Sequence, residues 1–356
     1  MKKNLNQIRQ EIDRLDEHIL KLVSERGDLA KEVGKLKSDG IIYKPDREAS
    51  LIARLKKINQ GPLSHQSVAN IFKSIISNCR ALEKKLSVAF LGPLGTFSEE
   101  ATIKQFGENI DAIPTNSIDE VFTQVQSNIA HYGVVPVENS TEGAISRTLD
   151  LLLTKDLNIC GEIILPVHHC LISKNKSLSQ IKKVYAHGQS LAQCHDWIMN
   201  NLPNVDKIAV MSNADGAKHA AKEKNSAAIA SIKAADLYKL NILHENIEDD
   251  SRNSTRFLVL SKQDIGISGN DKTSIVVATK NKPGAIADLV EPFAKNKVSM
   301  TKLESRPAKI GMWEYVFFID LEGHLKDKKV KISLEQIESR DSFIKVLGSY
   351  PASNDK

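Results

Sequence analysis

Leu5, Ile8, Ile12, Leu15, Ile19 and Leu22 recur at alternating three- and four-residue steps, and helical spacing continues to Val33 and Leu36. That is the seam of a coiled coil, and a helix of this length cannot bury it alone. Partner helices or a second chain are expected. Pro45 with Asp46 and Glu48 behind it opens a second helix, which Gly61-Pro62 ends. A third runs from about Ser64 with Val68, Ile71, Phe72, Ile75, Cys79 and Leu82 on its stripe. After Leu86 the pattern changes to short apolar runs ending in polar loops. Tyr132–Val137 is rich in β-branched residues and breaks at Glu138-Asn139-Ser140-Thr141-Glu142-Gly143. A helical stripe follows, Ala144, Ile145, Thr148, Leu149, Leu152 and Leu153, with Ser140 or Thr141 as the expected N-cap. Val88–Leu91, Val184–His187 and Val210 likewise feed polar loops and helices, and Phe257–Leu260 is a final strand.

Strands alternating with helices predict an open α/β sheet whose strand-end loops gather at one edge to form a ligand crevice. Polar, Gly-containing Ser261–Lys272 reads as a linker. Beyond it the order βαββαβ predicts an antiparallel sheet backed by helices, of the ferredoxin-like kind. The chain is therefore expected to be multidomain. Its parts are an all-α domain over residues 1–86, an α/β domain over 87–263 and an α+β domain over 272–350.

Composition narrows this only a little. Of 356 residues, 41% are hydrophobic and 26% charged, ordinary values for a globular protein. Cys79, Cys160, Cys170 and Cys194 form no CxxC, so reduced thiols in a cytoplasmic protein are expected. His168-His169-Cys170 invites a metal, but adjacent residues of an extended chain point to opposite faces, and no metal is expected. No leader or membrane span is evident. Net charge is +5, with 18 Lys/Arg against 11 Asp/Glu in residues 1–86 and 31 against 33 in the remainder. The basic domain has only Tyr43 and Phe72 as aromatics, so an anionic metabolite fits it better than a nucleic acid.

The loops of the α/β domain offer hydroxyls, amides and one arginine. They contain no GxGxxG or GxxxxGK[ST], which points to a small organic anion rather than a nucleotide. On the first helix, Arg26 and Lys37 are 11 residues apart and share a face; their axial separation of roughly 16 Å could close around one anion. Arg9 and Arg26, 17 residues apart, point in different directions. They are roughly 25 Å apart along the axis, so joint action on one ligand requires Arg9 from another protomer.

LGPLGTFSEEA, VPVENSTEG, AHGQSLAQC and STRF, in that order, resemble the prephenate dehydratase family. RQEIDRLD at 9–16, SER at 24–26, Lys37, PDRE at 45–48 and NCRALE at 78–83 resemble an all-helical chorismate mutase domain. KPGAI at 282–286 and ESRP at 304–307 resemble the regulatory ACT domain of prephenate dehydratases. The whole resembles the bifunctional chorismate mutase–prephenate dehydratase family. This implies a two-lobed, periplasmic-binding-like fold for the central domain.

By that resemblance, Arg9 of a partner protomer, Arg26 and Arg47 would hold the carboxylates of chorismate. Lys37 and Glu83 would face its ether oxygen, Glu48 a hydroxyl, and Cys79 stands where some relatives carry a serine beside it. Thr255 would protonate the hydroxyl leaving prephenate, with Arg256, Asn139, Ser140 and Gln193 placing the substrate. Gly284, Ala285, Ile286, Glu304, Ser305, Arg306 and Pro307 would bind phenylalanine as an allosteric inhibitor. Neither reaction requires a cofactor, and a homodimer or higher homo-oligomer is expected, with no nucleic-acid or membrane partner. The other class in play is a two-lobed amino-acid or solute sensor without chemistry, which would carry a signal peptide or a DNA-reading helix-turn-helix.

Overall fold

The computed structural model describes residues 4–37, 41–279, 282–307, 315–340 and 343–353. It divides into two compact units, Met1–Leu86 with Phe106–Asp111, and Ser87–Gln105 with Ala112–Lys356.

The first unit is built on α1 (Leu5–Leu36), α2 (Pro45–Ile58) and α3 (His65–Glu83). A capping box starts α1: the Asn4 side chain accepts the Gln7 N–H at 2.9 Å, and the Gln7 side chain accepts the Asn4 N–H at 3.0 Å. Ile52, Ala69 and Ile76 form the core with Leu51 and Phe72. Gly34 lets α1 pass close to α3, since a Cβ there would lie 2.5 Å from Glu83 Cγ. The expected stripe of α3 needs correction. Ile71 and Leu82 are about half exposed, while Ala69, Ser77 and Arg80 are buried, because the guanidinium of Arg80 turns inward to Glu48. The seam of α1 is uncovered within the chain, with Leu5, Ile8, Ile12, Leu15, Ile19 and Leu22 between 43% and 62% exposed.

The second unit begins with β1 (Leu86–Leu91), α4 (Phe97–Phe106), β2 (Ile110–Thr115), α5 (Ile118–Gln126), β3 (Tyr132–Asn139), β4 (Gly143–Ala144), α6 (Ser146–Thr154) and β5 (Asn158–Pro166). A second lobe follows: β6 (Cys170–Ser173), β7 (Lys183–His187), α7 (Gly188–Gln193), α8 (His195–Asn201), β8 (Asp206–Val210), α9 (Asn213–Ala220), β9 (Ser226–Ala230), α10 (Ile232–Tyr238) and β10 (Asn241–His244). The chain then returns through β11 (Ser254–Ser261) to the first sheet, whose order is β2-β1-β3-β11-β5 with β4 beside β3. The second sheet has the order β10-β6-β9-β7-β8. Two crossings join the lobes and bond to each other, Val167 N–H to the Asn253 carbonyl and Ile247 N–H to the His169 carbonyl, both at 2.9 Å.

The polar cluster after β3 is a tight hairpin rather than a helix start. Gly143 at φ +80° turns the chain so that β4 pairs back on Glu138 and Asn139. Helix α6 then begins at Ser146 with Ile145 in the cap position, so neither Ser140 nor Thr141 caps it.

The C-terminal part comprises β12 (Asp271–Thr279), α11 (Ala285–Lys295), β13 (Met300–Pro307), β14 (Tyr315–Glu322), α12 (Lys328–Glu338) and β15 (Phe343–Pro351), in the sheet order β13-β14-β12-β15. One sheet face, with Ile275, Val277, Phe317 and Ile319, packs on Leu289 and Phe293 of α11 and Leu334 of α12. The other face, with Val276, Val316, Phe318, Leu347 and Tyr350, shares a core with Val137, Leu149, Leu152 and Leu258 of the first lobe. The linker therefore does not separate two bodies.

Candidate active sites and effector site

In the helical unit, the Lys37 ammonium donates to Glu83 Oε1 at 2.7 Å and to the Ile42 carbonyl at 3.3 Å. Both side chains are less than one-fifth exposed. Glu48 Oε1 accepts from Arg80 Nη1 at 2.5 Å. Burial pushes the Glu48 carboxyl up, against the pull of Arg80, Arg26 and Lys73. Arg26 is half-buried, close enough to act on Glu48, and Cys79 is buried one turn before Glu83. Arg47 is exposed on α2. Arg9 is exposed near the far end of α1, about 42 Å along the axis from Lys37 at 1.5 Å per residue. The structure thus pairs Lys37 with Glu83, sets Arg80 and Arg26 against Glu48, and leaves Arg9 apart. Arg80 was missed in the sequence. Its guanidinium lies 4.8 Å above the Tyr43 ring and donates to the Phe106 carbonyl at 2.8 Å.

Between the two lobes of the second unit lies a cleft of about 1270 Å³. The loops preceding α4, α7, α9 and α10 all reach it, through Thr96, His187, Ser212 and Ser231. Thr255 and Asn139, each nearly buried, face it, as do Gln193 and His169. Asn139 Nδ2 donates to Thr255 Oγ1 at 2.9 Å. Burial pushes the His169 imidazole down, so it is neutral near pH 7. Its neighbour His168 turns the other way to Glu248 Oε1, at 2.7 Å. Among the described residues, neither lysine nor arginine lines this cleft.

Two expected substrate contacts are therefore corrected. Arg256 lies on the opposite face of β11 from Thr255, because successive strand residues alternate. Its Nε donates to Glu162 at 2.8 Å, Nη1 to Asp320 at 2.5 Å and Nη2 to the Tyr350 hydroxyl at 3.1 Å. Although burial opposes it, Tyr350, Asp320 and Glu162 hold the guanidinium firmly charged. Lys272 joins Glu162 at 2.8 Å, and Ser274 donates to Asp320 at 2.5 Å. Ser140 is also occupied elsewhere: its Oγ accepts the Ser254 N–H at 2.9 Å, and it is outside the cleft lining. Asn253 was missed. Period two from Thr255 would have found it, since Asn253, Thr255 and Phe257 share a face.

A second cavity of about 330 Å³ lies in the C-terminal part. Gly284, Ala285 and Ile286 at the start of α11 line it with Ser305, Tyr315 and Phe317. Gly284 sits at φ +84° as the N-cap residue. Glu304 and Arg306 lie on the opposite face of β13 from Ser305 and do not line the cavity; Pro307 is also outside it. Arg306 instead pairs with Asp150 of α6 at 3.1 Å, and Lys302 with Glu138 of β3 at 2.8 Å.

The fold and these sites define a multidomain protein with a helical unit, a two-lobed α/β cleft domain and a small α+β domain. Models of three families match in that order: chorismate mutase type II over residues 8–84, prephenate dehydratase over 88–265 and the ACT domain over 273–342. A bifunctional chorismate mutase/prephenate dehydratase of Neisseria gonorrhoeae is 46% identical over 96% of this chain and 96% of its own. Another, from Pseudomonas aeruginosa, is 46% identical over 98% of this chain and 97% of its own. A crystal structure of prephenate dehydratase in complex with L-Phe from Arthrobacter aurescens matches at 33% identity and TM-score 0.70, over 76% of this chain and 91% of that one. The chain belongs to the bifunctional chorismate mutase/prephenate dehydratase family.

Proposed function

We propose that this chain rearranges chorismate to prephenate in its helical unit and converts prephenate to phenylpyruvate in its α/β cleft, under inhibition by phenylalanine. The first step is unimolecular. The site has only to hold the reactive conformer and stabilise charge growing on the ether oxygen. Lys37 would donate to that oxygen, and Arg26, with Arg9 of a second copy and Arg47, would hold the carboxylates. The uncovered seam of α1 supports a second copy as partner.

In the second step the bond from the ring to its carboxylate breaks and releases CO2. Those electrons complete the aromatic ring as the C–OH bond breaks, and the hydroxyl leaves as water with the proton of Thr255, which solvent later restores. The observation that carries this reading is the Thr255 hydroxyl at the cleft, receiving the Asn139 amide at 2.9 Å. Neutral amides, hydroxyls and helix N-termini around the substrate suit decarboxylation, since an arginine on the departing carboxylate would stabilise it before reaction. Asn139 and Gln193 would place the substrate.

Phenylalanine would occupy the cavity at the start of α11, its carboxylate on free N–H groups there and its ring against Phe317 and Ile286. Coupling to the cleft would run along β3 and β11, where Glu138 and Arg256 engage the C-terminal sheet while their neighbours Asn139 and Thr255 face substrate. A sensor without chemistry leaves the Lys37–Glu83 pair and Thr255 without a role. Among the described residues no helix is long and apolar enough to cross a membrane, in keeping with a cytoplasmic enzyme. The domain limits proposed are 1–86, 87–263 and 272–350. The test is loss of chorismate followed by phenylpyruvate formation, each with and without phenylalanine. Both reactions should proceed, with the second slowed by phenylalanine; absence of either reaction rejects the corresponding site.

A further inference from the structure

Four side chains close a circle, two of which, Asn139 and Gln193, line the cleft. Asn139 Nδ2 meets Asn253 Oδ1 at 3.2 Å, Asn253 Nδ2 meets Gln193 Oε1 at 3.1 Å, Gln193 Nε2 meets Thr141 Oγ1 at 3.0 Å, and Thr141 Oγ1 meets Asn139 Oδ1 at 2.6 Å. Its direction follows from a single backbone group. The Thr141 N–H, which can only donate, lies 3.0 Å from one atom of the Asn139 amide, so that atom is the oxygen. The Asn139 nitrogen then faces Asn253, which must answer with its own oxygen. The same logic passes to Gln193 and on to Thr141, whose hydroxyl proton is left for the Asn139 oxygen. Every donor points the same way round. The second lone pair of Gln193 Oε1 takes His169 Nε2 at 3.0 Å, so Nε2 carries the imidazole proton. His169 Nδ1 is buried without a partner, in keeping with an unprotonated nitrogen there.

We propose that this one-way ring is the device that makes Thr255 a proton donor, with Asn253 and Thr141 as positioning residues for the dehydration. The second proton of Asn139 Nδ2 is held against Thr255 Oγ1 at 2.9 Å. The lone pair of that nitrogen is delocalised into the amide and accepts no hydrogen bond, so the Thr255 proton cannot turn back to it and is left for the cleft. As the proton leaves for the departing hydroxyl, negative charge grows on Thr255 Oγ1, and the Asn139 N–H already points at it. Hydrogen bonds that run in one direction polarise each other, so the ring strengthens that donor without a charged group.

The inference rests on Thr255 as the acid, and kinetics with prephenate separate the two. Thr141 is exposed, so its substitution leaves the fold intact. Thr141→Val removes the hydroxyl at similar volume and should lower dehydratase kcat roughly tenfold or more with KM little changed, as a misplaced catalytic group does. Thr141→Ser keeps both ring bonds and should recover most of that loss. In an Asn253→Ala chain, Thr141→Val should cost little further, because the ring is already open. Thermal unfolding of the same preparations reports on folding. A wild-type kcat in Thr141→Val, equal losses in the Val and Ser variants, or fully additive losses with Asn253→Ala would each overturn the ring. If Thr255→Val is inactive while Thr141→Val is fully active, the ring alone falls; if Thr255→Val is active, the donor assignment falls first.

Discussion

Thr255 and Arg256 are neighbours in sequence with opposite surroundings. The motif that holds both was legible, but its two-residue period also said that only one could meet a ligand in the cleft. Arg256 is almost fully buried beside Glu162 and Asp320. Arg256→Ala should therefore cost about 3–5 kcal/mol of stability, since it leaves buried Asp320 without its cation and Glu162 with Lys272 alone. Thermal unfolding would register this, whereas a substrate ligand would raise the KM for prephenate and leave the melting temperature unchanged. His169 gives a pH dependence. Burial lowers its folded-state pKa below the unfolded value near 6.5, so the unfolded chain takes up the proton first. The stability it contributes is present above that value and is lost as pH falls toward the folded pKa. His169→Gln, which keeps a donor for Gln193, should lose less melting temperature than the wild type between neutral and mildly acid pH. Equal acid losses would exclude His169 as the source. Asn253 was within reach of the strand period from Thr255, but Thr141 was not, because a hydrogen-bonded ring drawn from three segments has no sequence period.

The elements were more legible than their junctions. Three helices, the alternating strands and the βαββαβ order all follow from hydrophobic period and turn residues. The helix cap expected at Ser140 or Thr141 failed because Gly143 supplies a left-handed turn that lets β4 pair back first. The C-terminal part shares a core with the first lobe for a reason the sequence carries. Ile275-Val276-Val277 and Val316-Phe317-Phe318-Ile319 are apolar at every position, which marks strands buried on both faces. Deleting residues after 270 would uncover Leu149, Leu152 and Leu258, so the truncated chain should aggregate or melt much lower than the full chain. A gentler probe is Lys302→Ala, which cuts the link from β13 to Glu138. Uninhibited turnover should persist while the phenylalanine needed for half-inhibition rises about fivefold or more, a coupling of roughly 1 kcal/mol. An unchanged inhibition curve would remove this contact from the coupling.

For the whole molecule, the proposed second copy, bringing its own Arg9 to this site, would account for both the uncovered α1 seam and the roughly 42 Å between Arg9 and Lys37. Mixing inactive Arg9→Ala and Arg26→Ala chains should restore mutase activity through hybrid dimers; no recovery after demonstrated subunit exchange would put both arginines in one protomer's site. Thr255→Val supplied with chorismate near neutral pH tests most directly that the two reactions occupy separate sites on one chain. Chorismate should disappear at the wild-type rate and prephenate should accumulate, with no phenylpyruvate beyond the uncatalysed background. Phenylpyruvate forming at the wild-type rate, or chorismate left unconsumed, would contradict the account.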